Sequence, residues 1–217
     1  MTDFSPNHHL PDTLIQAYAA GTLCEAFSLV VACHISLCDS CRASLGAVEA
    51  LGGAILDETP TAPMMPEAFA DVMARIENEP QPVTPTVAPS ASVFPAPLQD
   101  YAGANPEATR WRSVGGGVRQ AMLDVSGSET ARLLYIPAGK AVPEHTHVGL
   151  ELTLVLQGAF SDKVAQFKRG DLEIGDGDLD HQPIADEGLD CICLAASDAP
   201  LRFKGLLPRI MQPFIGI

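Results

Sequence analysis

The 217-residue chain is 47% hydrophobic with a mean hydropathy of +0.14, enough to bury a core as one large domain or two small ones. A net charge of −14 excludes a protein built to coat nucleic-acid phosphates. No apolar run reaches the roughly 20 residues needed to cross a bilayer. The opening MTDFSPNHHLPD has neither the basic start nor the apolar stretch of a signal peptide, so a cytoplasmic, membrane-free location is expected.

Residues 1–79 read as helical. PDTLIQAYAAGTL places Leu14, Ile15 and Tyr18 on one face, with Gly21 as a stop. TLCE, residues 22–25, has the form of a capping box and opens a second helix through AFSLVVACHISL. A third helix begins near Cys41 and carries Leu45, Val48, Leu51 and Ile55. A fourth, PEAFADVMARIE, carries Phe69, Val72, Met73 and Ile76. Four short helices make a thin core, which a metal staple would reinforce.

Such a staple is visible in the spacing His34-x3-Cys38-x2-Cys41. Positions i and i+4 share a helix face, and Cys41 arrives from the following turn. Two thiolates and an imidazole suit zinc, which takes four tetrahedral N/S ligands in structural sites. Upstream, His8 and His9 are the two candidates for the fourth ligand; a redox CxxC with a bystander histidine is the competing reading. The stretch HHLPDTLIQAYAAGTLCEAFSLVVACHISLCDSCRA resembles the zinc-binding anti-sigma domain, a four-helix module. That resemblance implies His9 as the remaining ligand, with His8 as its neighbour.

Residues 80–97 contain six prolines and no charge, which reads as an extended linker over 80–98. The charge divides there too. Residues 1–100 hold 12 acidic and 2 basic side chains (−10), and residues 101–217 hold 15 and 11 (−4). An acidic first half suits a basic partner, though solubility alone accounts for such a composition.

From residue 99 onward the pattern is alternation and turns. VRQAML, ARLLYIP, LELTLVLQG, DLEIGDG and LDCICLAA read as short strands of an antiparallel sandwich or barrel, with Trp111 and the glycines 115–117 at its entrance. Within it lies Gly139-x5-His145-x-His147-x3-Glu151-x6-Gly158, with His181 downstream. His145 and His147 share a side of a strand, and Glu151 follows across a turn, so the four can converge on one divalent transition metal. The acids Asp176, Asp178 and Asp180 near His181 read as solvated turn residues. Cys191 and Cys193, two apart on a late strand, form a candidate redox pair, against which stands the plainer reading of buried hydrophobes.

The spacing through Gly158 resembles the first cupin motif. The second matches at Gly170 and His181 but has Asp176, Asp178 and Ala185 in place of the usual proline, glycine and asparagine. The two halves together resemble the ChrR-type zinc-binding anti-sigma factors. The resemblance implies an α + β two-domain protein: a helical zinc domain over 1–79 and a cupin over 99–217. It further implies that the helices hold an extracytoplasmic-function sigma factor in a 1:1 complex, without direct contact to nucleic acid. The cupin would then govern release under singlet oxygen or organic hydroperoxide, with no catalysis. The alternative is a metal-dependent cupin dioxygenase with a helical docking domain.

Overall fold

A computed structural model describes residues 5–79, 92–177 and 179–200, and the backbone of 202–203. The part of the expected linker at 80–91 lies outside these residues. Among those described, the helices are α1 (Asp12–Ala19), α2 (Glu25–Leu37), α3 (Asp39–Glu58), α4 (Ala68–Asn78) and α5 (Ala96–Ala102). The strands are β1 (Arg112–Gly115), β2 (Val118–Leu123), β3 (Thr130–Ile136), β4 (His145–Thr146), β5 (Glu151–Gln157), β6 (Ala159–Ser161), β7 (Gln166–Lys168), β8 (Leu172–Gly175), β9 (Asp180–His181), β10 (Ile184–Ala185), β11 (Cys191–Ser197) and β12 (Arg202–Phe203).

The strands form an antiparallel barrel-like sandwich. One sheet has the order β1-β2-β3-β11-β5-β8, and it faces two three-stranded sheets, β10-β6-β7 and β12-β4-β9. The five strands read from the sequence are β2, β3, β5, β8 and β11, whose apolar alternation is strongest. The two-residue strands β4, β9 and β10 are too short to carry a period. Period-2 alternation gives the large sheet two different faces. Leu133, Leu152, Leu154, Ile192 and Leu194 point to the helical side, whereas Ile136, Val155, Cys191 and Cys193 line the barrel interior with Phe160 and Phe167.

Helix α2 explains how the two halves join. Its sequence is apolar on every side, and Ala26, Phe27, Leu29, Val30, Val31, Cys33, His34 and Ile35 are all buried. A helix apolar all round needs cover all round. It obtains that cover from α1 and α3 on one side and from the large sheet on the other, so one apolar core runs from Ile15 through Val30 to Leu194. The thin core expected of four short helices is thus completed by the large sheet. Helix α4 buries no residue, and the second half of α3 is exposed at Leu51, Ile55 and Leu56.

The capping-box reading is corrected. The cap of α2 is Cys24, with no side-chain bond, while Thr22 closes α1 through its amide and hydroxyl to the Ala17 carbonyl. Gly21, at φ +66°, provides the left-handed turn this closure needs. Glu25 turns away to accept hydrogen bonds from Tyr101 Oη (2.7 Å), Ser126 N (2.7 Å) and Ser126 Oγ (2.5 Å). A local signal has lost to a contact about a hundred residues away.

Candidate metal centres

Between α2 and α3 the chain bends at Cys38, whose extended backbone ends one helix and starts the next. Its sulfur accepts from Cys41 N at the start of α3, capping one of the free amides of that helix end. His34, one turn earlier, and Cys41, on the first turn of α3, face the same point. The segment before α1 brings in His9.

The resulting spacings are His9 Nδ1 to Cys38 Sγ 3.3 Å, His9 Nδ1 to Cys41 Sγ 3.7 Å and His34 Nε2 to Cys41 Sγ 3.2 Å. All four donor atoms lie within 4.8 Å of one another. Bond lengths of about 2.1 Å to nitrogen and 2.3 Å to sulfur give tetrahedral edges of about 3.5 Å, so the set has the dimensions of a metal cage. His8 takes another course: its ring lies 4.4 Å from that of Phe167, and Nδ1 sits 3.5 Å from Asp171 Oδ1.

Burial dominates the electrostatics here. Desolvation takes the His34 imidazole down to about 4, opposed by the Gly170 backbone and by Asp171. Desolvation likewise pushes the Cys41 thiol up to about 11, aided by Cys38 and opposed by the Leu10 backbone. Neutral imidazole is the ligand form, whereas the thiol must lose its proton, and a bound dication supplies the charge that makes this favourable.

The second centre lies inside the barrel. Strands β4 and β9 pair with His145 directly opposite His181, and His147 follows just beyond β4. Their Nε2 atoms converge, His145 to His181 at 3.2 Å and His147 to His181 at 3.3 Å. Two of the other ring nitrogens are anchored behind, while Nδ1 of His147 is buried without a hydrogen-bond partner among the described residues. His145 Nδ1 faces the Pro143 carbonyl at 2.8 Å, and His181 Nδ1 faces Asp162 Oδ2 at 3.1 Å and Glu173 Oε1 at 3.2 Å. For His145 and His181, protons at Nδ1 leave lone pairs at Nε2 pointing to the common centre, which is the arrangement of metal-ligating histidines. Gly175 backs the ring of His147: a Cβ there would come within 2.8 Å of Nε2.

Desolvation takes His145 and His147 down to about 4 each. His181 is shifted the other way: desolvation is outweighed by Glu173 and Asp162, which favour its protonated form. Glu151 stands apart from the three-histidine set. On β5, opposite Gly175, its Oε1 is 3.4 Å from Thr153 Oγ1. Burial pushes its carboxyl up to about 6, opposed chiefly by Arg132, which is itself buried on β3.

Sequence reasoning did not identify Asp162, Glu173 or Arg132. Arg132 interrupts the apolar run ARLLYI at an inward-facing position, which is the signal that marks it; Glu173, at a regular polar position of DLEIG, and Asp162 carry no such signal. Asp176 and Asp180 are exposed, and Asp178 lies outside the described residues. Cys191 and Cys193 share the inner face of β11 with sulfurs 3.5 Å apart, both buried and unpaired in disulfides. Their mutual hydrogen bond and burial raise the Cys193 thiol well above its ordinary value.

Residues 99–199 match the family model of the ChrR cupin-like domain. Over 210 residues the chain is 55% identical to the anti-sigma-E factor ChrR of Cereibacter sphaeroides, covering 97% of this chain and 98% of that protein. This chain belongs to the ChrR family of anti-sigma factors. It is also similar in structure to the ChrR chain in the crystal structure of Rhodobacter sphaeroides SigE in complex with the anti-sigma ChrR. That match has 54% identity, a TM-score of 0.79, and coverage of 89% of this chain and all of the other. Among the described residues, no single helix of this ChrR-family chain is long and apolar enough to cross a membrane.

Proposed function

We propose that this chain is a sigma-factor antagonist, holding an extracytoplasmic-function sigma factor in a 1:1 complex through α3 and α4. The observation that carries the reading is the apolar surface these helices leave open. Leu51 (62% exposed), Ile55, Leu56, Met64, Met65, Phe69 (76%), Val72 and Ile76 all face solvent. On α4, Phe69, Val72 and Ile76 recur at helix spacing, forming one stripe. Exposed apolar residues in this number mark a binding surface, and an amphipathic helix fits an apolar groove on a partner. The partner's class follows from the ChrR relative crystallised with SigE. The charge of −10 over residues 1–100 complements surfaces that a sigma factor uses for DNA.

In this reading His9, His34, Cys38 and Cys41 hold zinc as a structural staple between the segment before α1 and the α2–α3 bend. His145, His147 and His181 hold a divalent transition metal in the barrel, zinc among the candidates, and Glu151 joins them after turning from Thr153. A bound dication would hold the cysteines as thiolates and fix the three imidazoles. The barrel then serves as the sensory half, releasing the sigma factor when singlet oxygen or an organic hydroperoxide alters this centre or the Cys191–Cys193 pair. It acts in the cytoplasm without catalytic turnover.

Titration of the full-length protein with its sigma factor tests the reading, comparing wild type with Phe69→Glu. Phe69 is exposed, so the substitution leaves folding intact while placing a charge in the apolar contact. Loss of about 30-fold or more in affinity at unchanged melting temperature is expected, the size of an interface hot spot. Equal affinity for both proteins would refute it.

A further inference from the structure

The two centres are joined by one short piece of backbone. Between β7 and β8 the chain turns through Arg169, Gly170 and Asp171. Asp171 is 1% exposed, and its carboxylate gathers three amides: Oδ1 accepts from Asn7 N at 2.5 Å and His8 N at 2.9 Å, and Oδ2 from Lys168 N at 2.8 Å. Strand β8 is an edge of the large sheet, and the Leu172 amide donates to the His8 carbonyl at 3.2 Å. The segment carrying His8 is therefore strapped along β8, and the next residue, His9, enters the first cage.

The turn also comes near His34, a second member of that cage. Nδ1 of His34 is buried without a hydrogen-bond partner among the described residues, and the Gly170 backbone lies close enough to His34 to oppose the lowering of its pKa by burial. The turn is itself fixed to the barrel. Gly170 N donates to the Val155 carbonyl at 2.7 Å, Val155 N donates to the Asp171 carbonyl at 3.1 Å, and Arg169 donates to the carbonyls of Leu156 and Val93. Two residues beyond Asp171, about 7 Å along the strand, Glu173 holds His181 of the barrel centre.

We propose that residues 170–173 couple the two metal centres, with Asp171 as the positioning residue that sets the first cage by holding the backbone beside His9. The inference rests on the occupancy of both centres proposed above. Metal in the barrel fixes His181, His181 fixes Glu173, and β8 passes the constraint to the strap; loss of the barrel metal loosens it. The coupling is reciprocal, because linkage between two binding equilibria has no direction.

The experiment follows release of zinc from full-length protein to a chromophoric chelator, with the barrel centre intact or disabled by His147→Ala. Disabling the barrel is expected to speed release from the first cage at least five-fold in the wild-type background. In Asp171→Ala, release is fast whichever form the barrel takes, by roughly 10-fold, the scale of losing a supporting contact to a metal ligand. Asp171→Asn, which keeps an acceptor for Asn7 and His8, retains most of the slow release and guards against misfolding of the alanine variant. Slow release in Asp171→Ala, or an undiminished effect of His147→Ala in that background, overturns the coupling. Protein that binds zinc only in the barrel would instead overturn the occupancy of the first cage.

Discussion

Replacing Leu194 by alanine tests whether the helices and the barrel fold as one unit. Leu194 is fully buried at the centre of β11, between β3 and β5, in the core that also contains Val30 of α2. Truncation removes about three carbons of buried side chain and leaves a cavity that rigid neighbours on both sides cannot fill. The expected cost is about 3–4 kcal/mol. For a protein of this size, each kcal/mol lowers the melting point by about 2–4 °C, so the transition should fall by roughly 10 °C. The assay is a thermal scan read twice, by far-ultraviolet circular dichroism for the helices and by Trp111 fluorescence for the barrel entrance. A shared core requires both signals to move together by the same amount. A barrel signal that falls while the helical signal stays in place would refute it.

Two further outcomes follow from the titrating groups. Glu25 accepts three hydrogen bonds from Tyr101 and Ser126, and those of Ser126 chiefly take its carboxyl down to about 2 from an ordinary 4.5. A depressed carboxylate contributes stability that is full above about pH 4.5 and lost as pH falls towards 2. The melting-point gap between wild type and Glu25→Gln should therefore shrink on acidification across that window; a gap independent of pH would remove the latch. The Cys191–Cys193 pair, buried and with Cys193 raised in pKa, should react with a thiol-specific disulfide reagent far more slowly in folded protein than in denatured protein. Equal rates would show that the barrel opens to the reagent.

The legible part of the molecule is the part whose chemistry repeats locally. The His34, Cys38 and Cys41 spacing follows from one helical turn and a bend, and that of His145 and His147 from a strand and its edge. The structure brings each set together with its more distant member, His9 or His181. Long alternating runs such as LELTLVLQG also read directly as strands. What stayed hidden depends on partners far along the chain. Glu25 has the spacing of a capping residue, but Ser126 and Tyr101 claim it. The all-round apolar character of α2 is visible in AFSLVVACHISL, yet the sheet that covers its second side cannot be located from those residues. Asp171 follows the cupin glycine Gly170 as an ordinary turn acid, and its hold on Asn7 and His8 spans more than 160 positions. Leu51, Ile55 and Phe69 read as core because apolar periodicity does not say whether the cover comes from this chain or another.

Amide hydrogen exchange with and without the sigma factor decides which chain covers these residues. Binding is expected to slow exchange over residues 51–58 and 68–78, where α3 and α4 expose their apolar faces, with the large sheet unchanged. Protection confined to the barrel, or absent from α4, would contradict docking through these helices.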